Sequence, residues 1–410
     1  MDDFQTVIKG LLGRDVVPAD SRLMGAHTQN KSVLVTGAGG SIGIELCRQL
    51  IKHNPATIIL FERSEFALYA IETEIRELAK AQDGADCIDI VPVLGSIRNR
   101  SLVEKIIKRF HVDTIYHAAA YKQVPMLERN VIAGIQNNIF GTLVMARAAE
   151  KLNVQNFILI STDKAVRPVN VMGATKRFAE QILQSLNARG SRTRFSMVRF
   201  GNVLGSSGSV LPLFRKQILN GGPVTVTHPE VTRYFMTTEE AAQLVIQAGA
   251  LARGGEVFVL DMHEPIRIAD MAKKMIALMG FSVCDVCTTG KCHCDTGIPI
   301  KYTGLREGEK LFEELLIGKT VAGTAHPKIM RAVEDFLDWP ALEVLLEQLE
   351  TGCASMRQDI IRDTLDEAIE GFRDRVVLQD QSVIADTEEE SIQPLLDKEF
   401  QSGKITALSH

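Results

Sequence analysis

Ser32-Val33-Leu34-Val35-Thr36 runs straight into Gly37-Ala38-Gly39-Gly40-Ser41-Ile42-Gly43, and the residues from Ile44 to Lys52 carry helical spacing. A run of five residues rich in branched side chains reads as a strand, so the segment is strand, glycine loop, helix. The loop is G-x-x-G-x-x-G. Gly37 permits a tight turn, Gly40 lets a backbone approach a pyrophosphate, and Gly43 lets helix and strand pack closely. The helix start, with Ser41 and Ile42, offers free N–H groups and a positive dipole end to phosphate. This predicts a dinucleotide site opening a βαβ unit.

Working outward, strand-like runs recur at Thr57–Phe61, Ile88–Val93, Thr114–His117, Phe157–Ser161, Phe195–Phe200 and Val257–Leu260, with helical patterning between them, as from Phe66 to Ala81. That alternation predicts an α/β fold: a Rossmann-type doubly wound parallel sheet. Glu62 ends the second strand about 20 residues past the last glycine, where an acid bonds the adenine-ribose 2′-hydroxyl. It favours NAD as cofactor. Arg63 and Ser64 follow it and suit a 2′-phosphate, so NADP stays open. Gly95-Ser96-Ile97-Arg98 and His117-Ala118-Ala119-Ala120 follow the third and fourth strands. Their small residues (Ser96, Ala118, Ala119, Ala120), together with Ile97, suit a dinucleotide lying across the strand ends.

The rhythm changes after Gly205, where a Gly/Ser stretch leads into shorter elements. We expect an N-terminal lead-in over 1–31 and the dinucleotide domain over 32–205, with some later strands returning to it. A smaller C-terminal α/β substrate-binding domain is expected over 206–335, then helices and a tail over 336–410. The 410 residues are 45% hydrophobic and 24% charged, with net charge −5 and no basic stripe, which argues against nucleic acid as a partner. The apolar runs are strand-length, and the acidic start Met1-Asp2-Asp3 is no secretion signal. A cytoplasmic protein without a membrane segment is expected.

The fifth strand ends in Ser161-Thr162-Asp163-Lys164, and a helix then carries Met172-Gly173-Ala174-Thr175-Lys176. Positions 172 and 176 share one helix face, roughly 5–6 Å apart. Here the chain resembles the extended short-chain dehydrogenases/reductases, whose helix carries Tyr-x-x-x-Lys. Met172 stands at the tyrosine position and cannot ionise. The run Ser161 to Lys176 is similar to the UDP-N-acetylglucosamine 4,6-dehydratases of polysaccharide synthesis, one branch of which has methionine there. Leu11-Leu12-Gly13-Arg14, Ala119 to Pro125, Val198 to Val203, Thr232 to Thr237 and Gly304 to Lys310 carry the same resemblance, over about residues 11–320. Members often have an N-terminal membrane segment and a further domain, which this chain is expected to lack.

The resemblance implies a reaction in three parts: C4 oxidation of the sugar, loss of water across C5 and C6, and reduction at C6. It implies Asp163 as acid for the C6 hydroxyl, Lys164 as base at C5, and Thr162 as hydrogen-bond partner of the C4 oxygen. Lys176, or a water it holds, would take the C4 proton. An ordinary lysine pKa of ~10.4 is too high for that, so burial must favour the amine by roughly 4 kcal/mol. On the substrate side it implies Lys122, Asn202, Arg233 and Arg306 as contacts, the arginines as diphosphate clamps, and Glu309 on the uridine ribose. His228-Pro229-Glu230 reads as a turn. UDP-N-acetylglucosamine is the expected small-molecule partner, and a homo-oligomer is expected. A 4-epimerase, which normally needs the tyrosine, and a non-catalytic dinucleotide sensor are the competing readings. The outcome at C5, retention or inversion, stays open.

Seven cysteines are present. Cys47, Cys87 and Cys353 stand alone and read as inert thiols. Cys284, Cys287, Cys292 and Cys294, with His293, share one loop. Zinc, free thiols and a disulfide are all compatible with that spacing, and no metal site is assigned.

Overall fold

The computed structural model describes residues 18–81, 88–284, 297–306, 308–314, 321–370 and 372. The strands lie at Ser32–Thr36 (β1), Thr57–Glu62 (β2), Asp89–Leu94 (β3), Thr114–His117 (β4), Asn156–Ile160 (β5) and Arg194–Arg199 (β6). They pair in parallel in the order β3-β2-β1-β4-β5-β6. Val257–Leu260 continues the sheet in parallel beside β6, and Ile329–Ala332 and Val321–Gly323 close that edge in antiparallel. β1 is buried on both faces, as expected for a sheet covered by helices on each side. The chain order reverses at β1. A crevice therefore opens between the carboxyl ends of β1 and β4, where such sheets bind ligands.

The alternation of β1 explains the two layers. Val33 and Val35 face one core, with Leu46, Leu50, Leu244 and Val245. Leu34 faces the other, with Ile107, Met145, Phe178 and Ile182. The helix Val171–Ala188 is buried from Val171 to Leu186. The helices Trp339–Ala354 and Gln358–Ala368 add Leu342, Leu345, Ile361 and Leu365 to this second core. Gln181 Nε2 also donates to Ala368 O at 2.8 Å.

The expected boundary at 205/206 is crossed several times. Helix Thr238–Leu251 packs in the β1 layer, and the strands Val257–Leu260, Val321–Gly323 and Ile329–Ala332 lie in the main sheet. The expected C-terminal segment 336–410, as far as it is described, packs against the main sheet's helix layer. What remains as a separate lobe has its own core of Leu211, Phe214, Val224, Met271, Met275 and Ile300. Its three-stranded parallel sheet, Ser282–Cys284, Gly297–Tyr302 and Val224–Val226, rests on the helices Val210–Leu219 and Ile268–Leu278.

In the lead-in, the short helix Ser21–Gly25 is capped by Asp20 and buries Met24. Residues 11–14 and 386–410 lie outside the described residues, as do Cys87, Cys287, Cys292, His293, Cys294 and Glu307. The question of a zinc loop therefore rests with them; Cys284 itself is a buried thiol.

Candidate active site

The glycine loop forms as the spacing predicts. Gly37 has φ +65°, and a Cβ there would sit 2.9 Å from the backbone of Ala119. A Cβ on Gly43 would lie 2.0 Å from Gly37 O. Gly40 is the N-cap of helix Ser41–Ile51, with no side chain closing its N–H groups. Gly39, to which the sequence assigned nothing, is equally constrained: a Cβ there would meet the Ala67 methyl at 2.5 Å. Thr36 Oγ1 accepts from the Ala119 N–H at 3.2 Å and bonds His117 Nδ1 at 2.8 Å, which fixes the turn after β4.

Beside this loop a cavity of about 310 Å³ is lined by Glu62, Arg63, Ser64, Ser96, Ile97 and Ala118 to Tyr121. Glu62 accepts from the backbone N–H groups of Gly39 (3.1 Å), Arg63 (2.8 Å) and Ser64 (3.0 Å). The carboxylate is thus held at the rim of the cavity. Arg63 stacks on the Tyr121 ring, 5.1 Å from its centroid, and donates to the Tyr121 hydroxyl.

A larger cleft of about 820 Å³ continues from Gly37, Gly40, Ser41, Ile42 and Gly43 to the second lobe. Its floor carries Thr162, Lys164, Met172 and Lys176, and its far wall Asn202, Arg233, Arg306 and Glu309, with Lys122 between. Ser41 joins the two sides, its hydroxyl accepting from the Ser207 N–H at 3.0 Å.

The helix Val171–Ala188, which carries Met172 and Lys176, is placed by its own N-terminus. Asn170 caps it by accepting from the Gly173 N–H at 2.8 Å and donates to Gly308 O at 3.0 Å, which ties the 304–310 loop to the helix. Such a cap contributes about 1 kcal/mol. Glu128 accepts from the Val171 N–H at 2.7 Å. Gly173 is required because a Cβ there would lie 2.2 Å from Lys164 O. Met172 and Lys176 are thereby pressed against the turn that holds Thr162 and Lys164.

Lys176 is almost fully buried, and its Nζ donates to Ile160 O at 2.6 Å. Burial pulls its pKa down to about 8, against a smaller opposing pull from Glu180. Lys164 is set the other way. Burial lowers it, but Asp163 and Glu313 outweigh that and hold the ammonium above the ordinary lysine value. Its Nζ lies 3.0 Å from Asp163 Oδ1 and 3.6 Å from Glu313 Oε1, and donates to Asn202 Oδ1 at 3.4 Å. Asp163 Oδ1 also accepts from Thr162 Oγ1 at 2.9 Å. The Asp163 carboxyl is fully buried, and its Oδ2 has no hydrogen-bond partner among the described residues. Unlike Thr162 and Lys164, it sits behind the wall of the cleft.

Two of the residues expected to contact a substrate, Arg233 and Glu309, are already engaged. Arg233 is 7% exposed and donates to the carbonyls of Thr232, Lys310 and Leu311 and to Glu309 Oε1. Glu309 accepts in addition from Thr227 Oγ1 and from the Arg306 N–H. Together they clasp the 306–311 loop, so their expected ligand contacts require sharing. Arg306 lies exposed on the cleft.

The sequence reading missed three features. Glu313 belongs to the Lys164 cluster. Asn138, on a π-helical turn (Ile135–Phe140), accepts from the Tyr121 N–H and donates to Tyr121 O and Thr175 Oγ1. Beneath the helix Val171–Ala188, Glu180 accepts from Ser161 and from the fully buried Arg199, which also bonds Glu334; Arg177 lies in the same group. No motif marked these residues: alongside the i,i+3 contact of Arg177 with Glu180, each has partners 17 to 158 positions away in the chain.

This sheet, glycine loop and Met-x-x-x-Lys helix define an extended short-chain dehydrogenase/reductase. A family model described as polysaccharide biosynthesis protein matches residues 33–334, and the chain belongs to that family. It is 48% identical over 343 residues to the capsular polysaccharide biosynthesis protein CapD of Staphylococcus aureus, covering 83% of this chain and 54% of that one. It is 30% identical to an inverting UDP-N-acetylglucosamine 4,6-dehydratase of Campylobacter jejuni, covering 70% of this chain and 77% of that one. The chain spans about half the length of the first of these relatives. Among solved structures, Pen from Bacillus thuringiensis superposes with a TM-score of 0.64 at 30% identity, covering 76% of this chain and 92% of that one. Among the described residues no helix is long and apolar enough to cross a membrane.

Proposed function

We propose that this chain is a nucleotide-sugar 4,6-dehydratase that takes UDP-N-acetylglucosamine to a UDP-4-keto-6-deoxy-N-acetylhexosamine with NAD, in the cytoplasm and as a homo-oligomer. The observation that carries this is the floor of the cleft. A lysine with its pKa lowered to about 8 stands where no tyrosine is available, beside an Asp–Lys acid–base pair. An epimerase needs no such pair.

The residues present suit the cofactor. The open helix N-terminus at Gly40 offers N–H groups to a pyrophosphate, and the Gly37 turn leaves room for it. Glu62, at the rim of the adjoining cavity, suits a ribose 2′-hydroxyl and repels a 2′-phosphate. A dinucleotide held by Gly37, Gly40, Gly43 and Glu62 would supply the hydride chemistry that C4 oxidation and C6 reduction require. Lys176, as the free amine or through a water, takes the C4 hydroxyl proton. Thr162 hydrogen-bonds the C4 oxygen. The ketone acidifies C5–H; Lys164 removes that proton and, after exchange with solvent, returns one to C5 when C6 is reduced, and Asp163, which the sugar must reach through the wall between Thr162 and Lys164, protonates the departing C6 hydroxyl. Proton transfer from Lys164 Nζ to Asp163 Oδ1 along their 3.0 Å contact readies both groups with no proton gained or lost. Lys122, Asn202, Arg233, Arg306 and Glu309 hold the nucleotide sugar.

The test is incubation with UDP-N-acetylglucosamine and NAD⁺ in D₂O, followed by NMR. The expected product lacks one water, bears a 4-keto group and carries deuterium at C5, and its geometry there reads retention or inversion. A C4 epimer would move the assignment to an epimerase. An unchanged sugar, with other UDP- and GDP-sugars also untouched, would favour a dinucleotide sensor. Light scattering at micromolar concentration tests the oligomer.

A further inference from the structure

Glu313 lies three residues past the Gly304 to Lys310 run, and no motif singled it out. Its side chain is 4% exposed, and its Oε2 has no hydrogen-bond partner among the described residues. Its Oε1 lies 3.6 Å from Lys164 Nζ and 3.7 Å from Arg233 Nε. Lys164 thus stands between two carboxylates, Asp163 on one side and Glu313 on the other. Among the described residues, both carboxylates keep one buried oxygen unpaired. A buried carboxylate without full compensation is costly: burial pushes the Glu313 pKa up, while Lys164 and Arg233 pull against that shift and favour the charged form. The other groups facing this cluster are Asn202 after β6, Tyr234 beside Arg233, and Glu309 and Lys310 on the 304–314 loop.

We propose that Glu313 is a positioning residue for the acid–base pair: its carboxylate holds Lys164 Nζ against Asp163 and sets the charge that Lys164 carries when substrate arrives. The role rests on the dehydratase reading for its kinetic consequence. The loop places the carboxylate, the ammonium links it to Asp163, and Arg233 balances its charge. Glu313 acts through Lys164 and touches no reacting atom.

The variants are Glu313→Gln and Glu313→Asp in the full chain, with thermal melting as a check on folding. The first readout needs no substrate. Side-chain ¹⁵N NMR of lysine, with the Lys164 signal identified by its loss in Lys164→Arg, gives the Lys164 titration. Removing the Glu313 charge takes away a stabiliser of the ammonium, so Lys164 should titrate at lower pH in Glu313→Gln and return toward its original position in Glu313→Asp. The second readout is turnover of UDP-N-acetylglucosamine. The expectation for Glu313→Gln is kcat down about tenfold or more, with KM within about threefold, because misplacing a reacting group costs rate more than binding. An unmoved Lys164 titration in a folded Glu313→Gln protein overturns the proposal. So does an unchanged kcat in an active enzyme. If the wild-type protein dehydrates no nucleotide sugar, the proposed function falls, and the Lys164 titration alone decides whether Glu313 sets its charge.

Discussion

The two halves of the cleft are built on different terms. On the glycine-loop side, backbone does the work: Gly37, Gly39, Gly40 and Gly43 fall within seven residues, and each constraint is steric, met inside the loop for Gly40 and Gly43 and against Ala119 and Ala67 for Gly37 and Gly39. On the Lys164 side, side chains do the work, and Asp163, Lys164, Asn202, Arg233 and Glu313 come from four separate stretches of chain. A backbone site tolerates no added atom at its glycines but is indifferent to most neighbouring charges. A side-chain site has room for substitution, yet each member alters the protonation of the others.

Lys176 belongs to both halves and should give the largest effect. Lys176→Met should lower dehydration about 10³-fold with the fold intact by circular dichroism. A loss below tenfold would mean that the C4 proton leaves by another route. Next comes Gly43→Val. Its side chain must displace Gly37 O, so NAD⁺ binding, followed by calorimetry, should weaken at least about 100-fold while UDP binding to the other half persists. Loss of both together would break the comparison, because the halves would then not be independent.

The pH profile comes third. With the Lys176 pKa lowered to about 8, the active amine is the minority form below that pH. kcat should rise about tenfold per pH unit up to pH 8 and level off above it. Lys176→Met should erase this limb. The smallest effect is Glu62→Gln. The amide keeps the shape of the carboxylate but drops its charge, so the ratio of NADP⁺ to NAD⁺ dissociation constants should fall about tenfold in paired titrations.

The same contrast accounts for what could be read from the chain. The loop 37–43, the strand positions within a residue or so, and Glu62 at the rim of its cavity follow from short-range spacing. A strand must alternate or be wholly apolar, and a glycine loop needs its glycines at fixed offsets. The pairing of Lys164 with Glu313 lies across 149 positions and leaves no periodic trace. Resemblance supplied Arg233 and Glu309 as ligand contacts. The structure shows that they first clasp their own loop, a role that depends on Thr227, Lys310 and Leu311. The placement of the helices after Pro340 was also invisible, since an amphipathic pattern says that a face is buried but not against what.

The charged group under the helix Val171–Ala188 has a consequence for how the protein is made. Arg199 leaves the ribosome 135 residues before Glu334, which supplies its second carboxylate. Until then the nascent chain holds an arginine at the centre of its sheet with only Glu180 to answer it. The sheet, glycine loop and that helix can all be synthesised well before the site beneath them is electrically complete. A chain stopped short of Glu334 should therefore behave as a folding intermediate rather than as a smaller enzyme.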